Sequence, residues 1–169
     1  NHIYLSRIAY IELLSNNMEE AKSLFLKSIS ICSNYLEGYN CLGYIFKSQG
    51  DFVKARYYYN QALNIDHSYI PALTNLAVLI MNTQPKEAIK ILNKALSINK
   101  ESADINFNLG IAYMILKDYE QAIIFYNKAI LSQPNFSLAI FNIANANFFL
   151  RRFQKALYYY NQVIDLDNK

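Results

Sequence analysis

The sequence predicts an all-α fold, a solenoid of stacked helix pairs, and three observations carry that prediction. First, the chain repeats itself. Tyr57-Tyr58-Tyr59-Asn60-Gln61-Ala62-Leu63 returns as Tyr158-Tyr159-Tyr160-Asn161-Gln162-Val163-Ile164, an offset of 101, one short of three periods of 34. Second, apolar and small residues inside each period fall at three- and four-residue spacings, twice over. Third, no stretch sustains the two-residue alternation of a strand.

The elements follow in chain order. In the first period Leu26-Lys27-Ser28 precedes Asn60 by 34, and Asn16-Asn17 marks the turn between its two helices. In the second, Leu42, Gly43 and Phe46 define one helical face and Ala55, Tyr59 and Ala62 the next. Gly50-Asp51 lies between them, a turn residue followed by a residue of N-cap type. In the third, Asn93-Lys94-Ala95 lies 33 after Asn60-Gln61-Ala62, so one residue is deleted between Ile80 and Ala88. Pro85 then stands where the second helix begins, and the first helical N–H has no partner to lose. In the fourth, Asn127-Lys128-Ala129 restores the spacing of 34 and Lys117-Asp118 is the turn. The fifth carries Asn161 another 34 on.

This pattern resembles the tetratricopeptide repeat (TPR), in which helix A carries a Leu-Gly pair and helix B an Ala, an aromatic and a second small residue. The five copies read 2–35, 36–69, 70–102, 103–136 and 137–169. The Leu-Gly positions are Ile8-Ala9, Leu42-Gly43, Leu76-Ala77, Leu109-Gly110 and Ile143-Ala144. The helix-B alanines are Ala21, Ala55, Ala88, Ala122 and Ala156. The aromatic position reads Phe25, Tyr59, Leu92, Tyr126 and Tyr160, and the second small one Ser28, Ala62, Ala95, Ala129 and Val163. Small residues let the helices approach closely and the aromatic fills the gap. Departures are also present. Pro134 alone holds the terminal proline, replaced elsewhere by Ser33, His67, Lys100 and Asn168. Glu12, Asn106 and Asn147 replace larger or apolar residues. The resemblance implies a right-handed superhelix of about ten helices in antiparallel pairs, forming one array over residues 2–169.

Composition narrows the function. Of 169 residues 53% are hydrophobic and 17% charged, with a net charge of +3, which excludes disorder and a bulk-charge polyanion binder. Four Gly and two Cys exclude collagen-like and disulfide-stapled scaffolds. The 20 Asn, 21 Ile and 15 Tyr, with Lys outnumbering Arg 12 to 4, read as the coding bias of an AT-rich genome. Eleven of the 16 Ala nevertheless sit at the close-packing positions, a mark of packing demand. The longest apolar run, Leu76 to Met81, is too short to span a bilayer, and no signal peptide is visible. Residue 1 is Asn, so the chain reads as a fragment of a longer protein. Cys32 and Cys41 read as free thiols, which points to an intracellular, cytoplasmic setting.

No catalytic site, metal site or cofactor is expected. His2 and His67 are the only histidines, His67 reads as a solvated turn residue, and no phosphate loop or nucleophile elbow is present. The family resemblance implies instead a helix-A face that binds a peptide or partner protein. By position its lining includes Asn40, Tyr44, Asn75, Val78, Asn108, Ile111, Phe141, Asn142, Asn145 and Phe148, with Ser6, Arg7, Tyr10, Cys41, Met81 and Phe107 among the neighbours. Asn75, Asn108 and Asn142 recur at one position and predict a ladder whose amides grip a peptide backbone or support helix packing. The family's carboxylate clamp for chaperone tails is missing. Ser6, Asn40 or Thr74 stands at its first Lys position and Pro71, Asp104 or Leu138 at its second.

The reading is therefore a non-catalytic scaffold that binds a protein or peptide, with no nucleic acid and no membrane as partner. Its alternative is the substrate-recruiting arm of a larger enzyme, such as an O-GlcNAc transferase-like glycosyltransferase. The apolar fifth repeat and the uncapped ends also offer a route to self-association.

Overall fold

The computed structural model describes residues 1–167. Asn168 and the last residue of the fifth repeat lie outside the described residues. Among those described, the chain forms ten helices and no strand. They are α1 (His2–Leu14), α2 (Met18–Ile31), α3 (Leu36–Ser48), α4 (Phe52–Ile65), α5 (Ile70–Ile80), α6 (Pro85–Ile98), α7 (Ala103–Ile115), α8 (Tyr119–Ser132), α9 (Ser137–Phe149) and α10 (Phe153–Asp167). The architecture is an all-α solenoid of helix pairs, as the period predicts.

Helix ends are set by local chemistry. Asp51 and Asp118 cap α4 and α8, their carboxylates accepting the Lys54 and Gln121 N–H at 3.0 and 3.2 Å. Ser102 caps α7 through the Ile105 N–H. Pro85 is the first residue of α6, where the deletion places it. Asn17 precedes α2 as expected, but its side chain does not cap; its amide donates to Glu12 Oε2 at 2.7 Å.

Four of the A-to-B turns share one closure. Asn16, Gly50, Lys117 and Arg151 adopt positive φ, from 59° to 79°. The N–H of the next residue reaches back to the fifth carbonyl before it, as in Asp51 to Phe46 and Asp118 to Tyr113. This is the Schellman arrangement, and its last residue doubles as the N-cap of helix B. The third repeat lacks it; there α5 is two residues shorter than α3 and α7, and Gln84 N–H returns to Ile80.

The chain divides into two compact units, Asn1–Leu79 and Ile80–Lys169. In the first, α1 packs on α2, α2 on α3 and α3 on α4. Its core holds Ala9, Ala21, Phe25, Leu42, Ile45, Ala55, Tyr59 and Ala62, all essentially without exposure. A Cβ on Gly43 would overlap the Tyr59 ring. Ser6 and Ser28 form a buried hydroxyl pair at 2.6 Å that also reaches the His2 carbonyl. In the second unit α6 packs on α7, α7 on α8, α8 on α9 and α9 on α10. Ala122, Tyr126, Ala129, Ala139 and Ile143 form a continuous core, with Phe107, Ile111, Met114 and Phe136 packed against it. Gly110 stands against the Tyr126 ring as Gly43 does against Tyr59.

Candidate peptide-binding face

In the first unit, α3 and α5 bring three of the expected residues together. Asn75 Nδ2 donates to Asn40 Oδ1 at 2.9 Å. Both amides, with Tyr44, line a cavity of about 380 Å3 whose other walls are Tyr10, Leu13, Leu14, Asn16, Met18 and Cys41. Tyr44 is exposed, and Val78 is half-buried. The pairing joins neighbouring repeat positions, because Asn40 stands one place earlier in its repeat than Asn75 does. Recurrence at a single repeat position therefore does not reveal it. Leu13, Leu14 and Met18 were missed as well. A signal was available: Leu14 lies four residues after Tyr10, on the same helical stripe.

A second, more open cavity of about 560 Å3 adjoins α1, lined by Ile3, Ser6, Arg7, Tyr10, Ile11, Tyr35 and Glu37. Tyr35 donates its hydroxyl to Glu37 Oε2 at 2.9 Å. Burial, with Glu37 nearby, raises the Tyr35 phenol above its ordinary range. Burial likewise pushes the Cys41 thiol up to about 12, again with Glu37 opposing a negative neighbour. Cys41 is therefore an unreactive wall of the pocket at neutral pH. Cys32 and Cys41 are both free.

In the second unit the expected residues divide by role. Asn108, Ile111, Asn142 and Asn145 are half-buried, while Phe141 and Phe148 are exposed. Among the described residues no hydrogen bond joins Asn108 to Asn142. Asn145 is engaged: its Oδ1 accepts the Tyr160 hydroxyl at 2.6 Å. Phe141 leans on the Tyr160 ring at 5.8 Å. Phe148 meets Phe149 and Phe153 at 6.0 and 5.7 Å. Phe107, expected beside the face, packs inward between Tyr126 and Phe136 at 5.7 and 4.7 Å. Ser6 and Cys41 are buried on their helices, and Met81, which follows the last residue of α5, is buried as well.

Among the described residues no three His, Cys, Asp or Glu side chains gather as a metal site. No helix is long and apolar enough to cross a membrane.

Sequence profiles of the tetratricopeptide repeat match residues 36–69, 79–140 and 138–169. Over 116 residues the chain is 27% identical to the anaphase-promoting complex subunit CDC16 of Saccharomyces cerevisiae, a match covering 64% of this chain and 14% of that protein. Over 70 residues it is 37% identical to the uncharacterized protein ycf37 of Pyropia yezoensis, covering 41% and 36%. The chain thus spans about a seventh and about a third of these two proteins. Solved structures of similar fold include MamA, with a TM-score of 0.82 at 22% identity and 95% of both chains covered. The type IV pilus biogenesis factor PilW has a TM-score of 0.93 at 16% identity, covering 99% of this chain and 78% of that one. YrrB, described as a TPR protein with an unusual peptide-binding site, has a TM-score of 0.76 at 18% identity, covering 100% and 88%.

Proposed function

Because the chain belongs to the tetratricopeptide repeat family, we propose that it is a non-catalytic interaction scaffold that holds a peptide or partner protein against the A helices of its repeats. Repeat arrays of this kind offer extended binding surfaces built from successive copies of one unit. The observation that carries the reading is the Asn40–Asn75 pair beside the pocket of the first unit. Asn75 spends one donor on Asn40, which leaves the Asn40 Nδ2 and the Asn75 Oδ1 free to bond further. That donor and acceptor match the C=O and N–H of an extended peptide and read no side chain. The neighbouring Tyr10, Leu13, Leu14, Met18 and Tyr44 supply the selectivity, by taking one apolar side chain of the ligand. In the second unit Phe141 and Phe148, 42% and 52% exposed, are the aromatic anchors. The free thiols support a reducing compartment.

The test is selection of peptides from a displayed random library on the whole chain, followed by calorimetric affinities for the enriched sequences. Asn75→Leu should weaken them about tenfold, the scale of one or two lost hydrogen bonds to the ligand. The double change Asn75→Leu with Asn108→Leu should weaken them further. Unchanged affinity in both variants would refute the assignment of this face.

A further inference from the structure

Asn106 is the fourth residue of its repeat, where the other four carry Leu5, Tyr39, Leu73 and Ile140. Exchanging a large apolar side chain for a short polar one leaves room in the fold. A cavity of about 560 Å3 opens beside it, lined by Lys100, Glu101, Asn106, Lys128, Leu131 and Ser132. All six residues belong to the second unit, and none belongs to the candidate peptide-binding face.

Two features of this cavity point outward to a ligand. Asn106 is 2% exposed, and its Nδ2 donates to the Ser102 carbonyl at 2.9 Å. Its Oδ1 is buried with no donor among the described residues. A buried amide oxygen left in that state is costly, so the site calls for an N–H or O–H. The second feature is charge. Lys100 and Lys128 contribute two ammonium groups, and neither is ion-paired among the described residues. Lys128 holds its ammonium 4.7 Å from the Phe125 ring centroid, a contact that leaves its charge un-neutralised. Leu131 adds an apolar side chain that is 83% exposed.

We propose that this cavity is a second binding site, which takes a single acidic residue of a partner peptide. A turn of the Asn106 side chain into the cavity lets a backbone N–H of the ligand donate to its Oδ1, while the ligand carboxylate meets Lys100 and Lys128 and a following apolar side chain covers Leu131. Glu101 lines the same cavity and repels a second negative charge. The site therefore prefers an isolated acidic residue among neutral neighbours to a polyacidic run.

Amide NMR of the whole chain, titrated with Ac-Ala-Glu-Leu-Ala-NH2, tests the proposal. Shifts are expected at residues 100–106 and 128–132. The peptide with Gln in place of Glu and a tetraglutamate peptide should each bind about tenfold more weakly or not at all. Asn106→Leu restores the residue type of the other repeats, so it should raise Tm and abolish the shifts. The double change Lys100→Gln with Lys128→Gln leaves the packing alone and should also weaken binding about tenfold; it decides the matter if Asn106→Leu fails to fold. The proposal is overturned if the wild-type chain shows no shifts, if the Gln peptide binds equally well, if tetraglutamate binds more tightly, or if either variant binds as the wild type does.

Discussion

At the scale of single residues the repeat is written as a covariation between a small position on helix A and a large one on helix B. Gly43 meets Tyr59 and Gly110 meets Tyr126, in each case so closely that a methyl group would overlap the ring. Where helix A carries Ala instead, the large residue changes: Phe25 accompanies Ala9, and Leu92 accompanies Ala77 in the third repeat. In the fifth, Ala144 coexists with a tyrosine, but Tyr160 is only half-buried and turns its hydroxyl to Asn145. It follows that Gly110→Ala overpacks the second unit, at a cost of about 1–3 kcal/mol. At about 2–4 °C per kcal/mol for a chain of this size, Tm should fall by several degrees in a thermal melt. Adding Tyr126→Leu, the pairing of the third repeat, should recover part of the loss. If Gly110→Ala melts with the wild type, the overlap is relieved by a cheap ring shift and the covariation is not steric.

At the scale of elements, helix existence and helix starts were legible because the signals are local. Asp51, Asp118 and Pro85 each act on their own helix terminus, and the structure uses them as their chemistry predicts. The face chemistry was less legible, because it depends on rotation about the helix axis. Phe107, expected beside Asn108 on the binding face, packs on the core cluster instead. A pairing across repeats such as Asn40 with Asn75 depends on the offset between helices, which no single period encodes. Turn strain was hidden too. The repeat register places a turn at Lys117, but neither Lys117 nor Arg151 is a residue type that announces positive φ, and both hold the left-handed conformation that Gly50 holds at the matching place. A non-glycine residue there costs about 1–2 kcal/mol, and glycine loses part of that gain to its freer unfolded state. Lys117→Gly should therefore stabilise the chain by roughly 0.5–1 kcal/mol and raise its denaturation midpoint. Gly50→Ala should do the opposite, although nothing within 4 Å would meet the new methyl group. Equal midpoints for the two variants and the wild type in urea would show that the turns relax without cost.

At the scale of the whole molecule, tyrosine stands in for much of the bulk that a core needs, and this ties stability to alkaline pH. The chain has 15 Tyr and no Trp. Tyr59 and Tyr126 are essentially buried, and burial raises both phenols well above their ordinary range. Burial also lifts Tyr69 and Cys41, each to about 12. In every case the neutral, protonated form is the one the fold prefers. The folded-state value exceeds the unfolded one, so the contribution is fully present below pH 9 to 10, the ordinary range of these groups. It is lost as pH rises toward and through 12. Stability should therefore decline steadily along that alkaline limb. Helical ellipticity should collapse in the same pH interval in which tyrosinate absorbance from the buried rings appears, because those rings cannot ionise in place. Cys41→Ala removes one of the coupled groups and should make the decline shallower, without changing the order of events. A chain whose tyrosines all ionise while its helical signal persists would contradict the coupling, and with it the view that these rings are held in a closed, dry core.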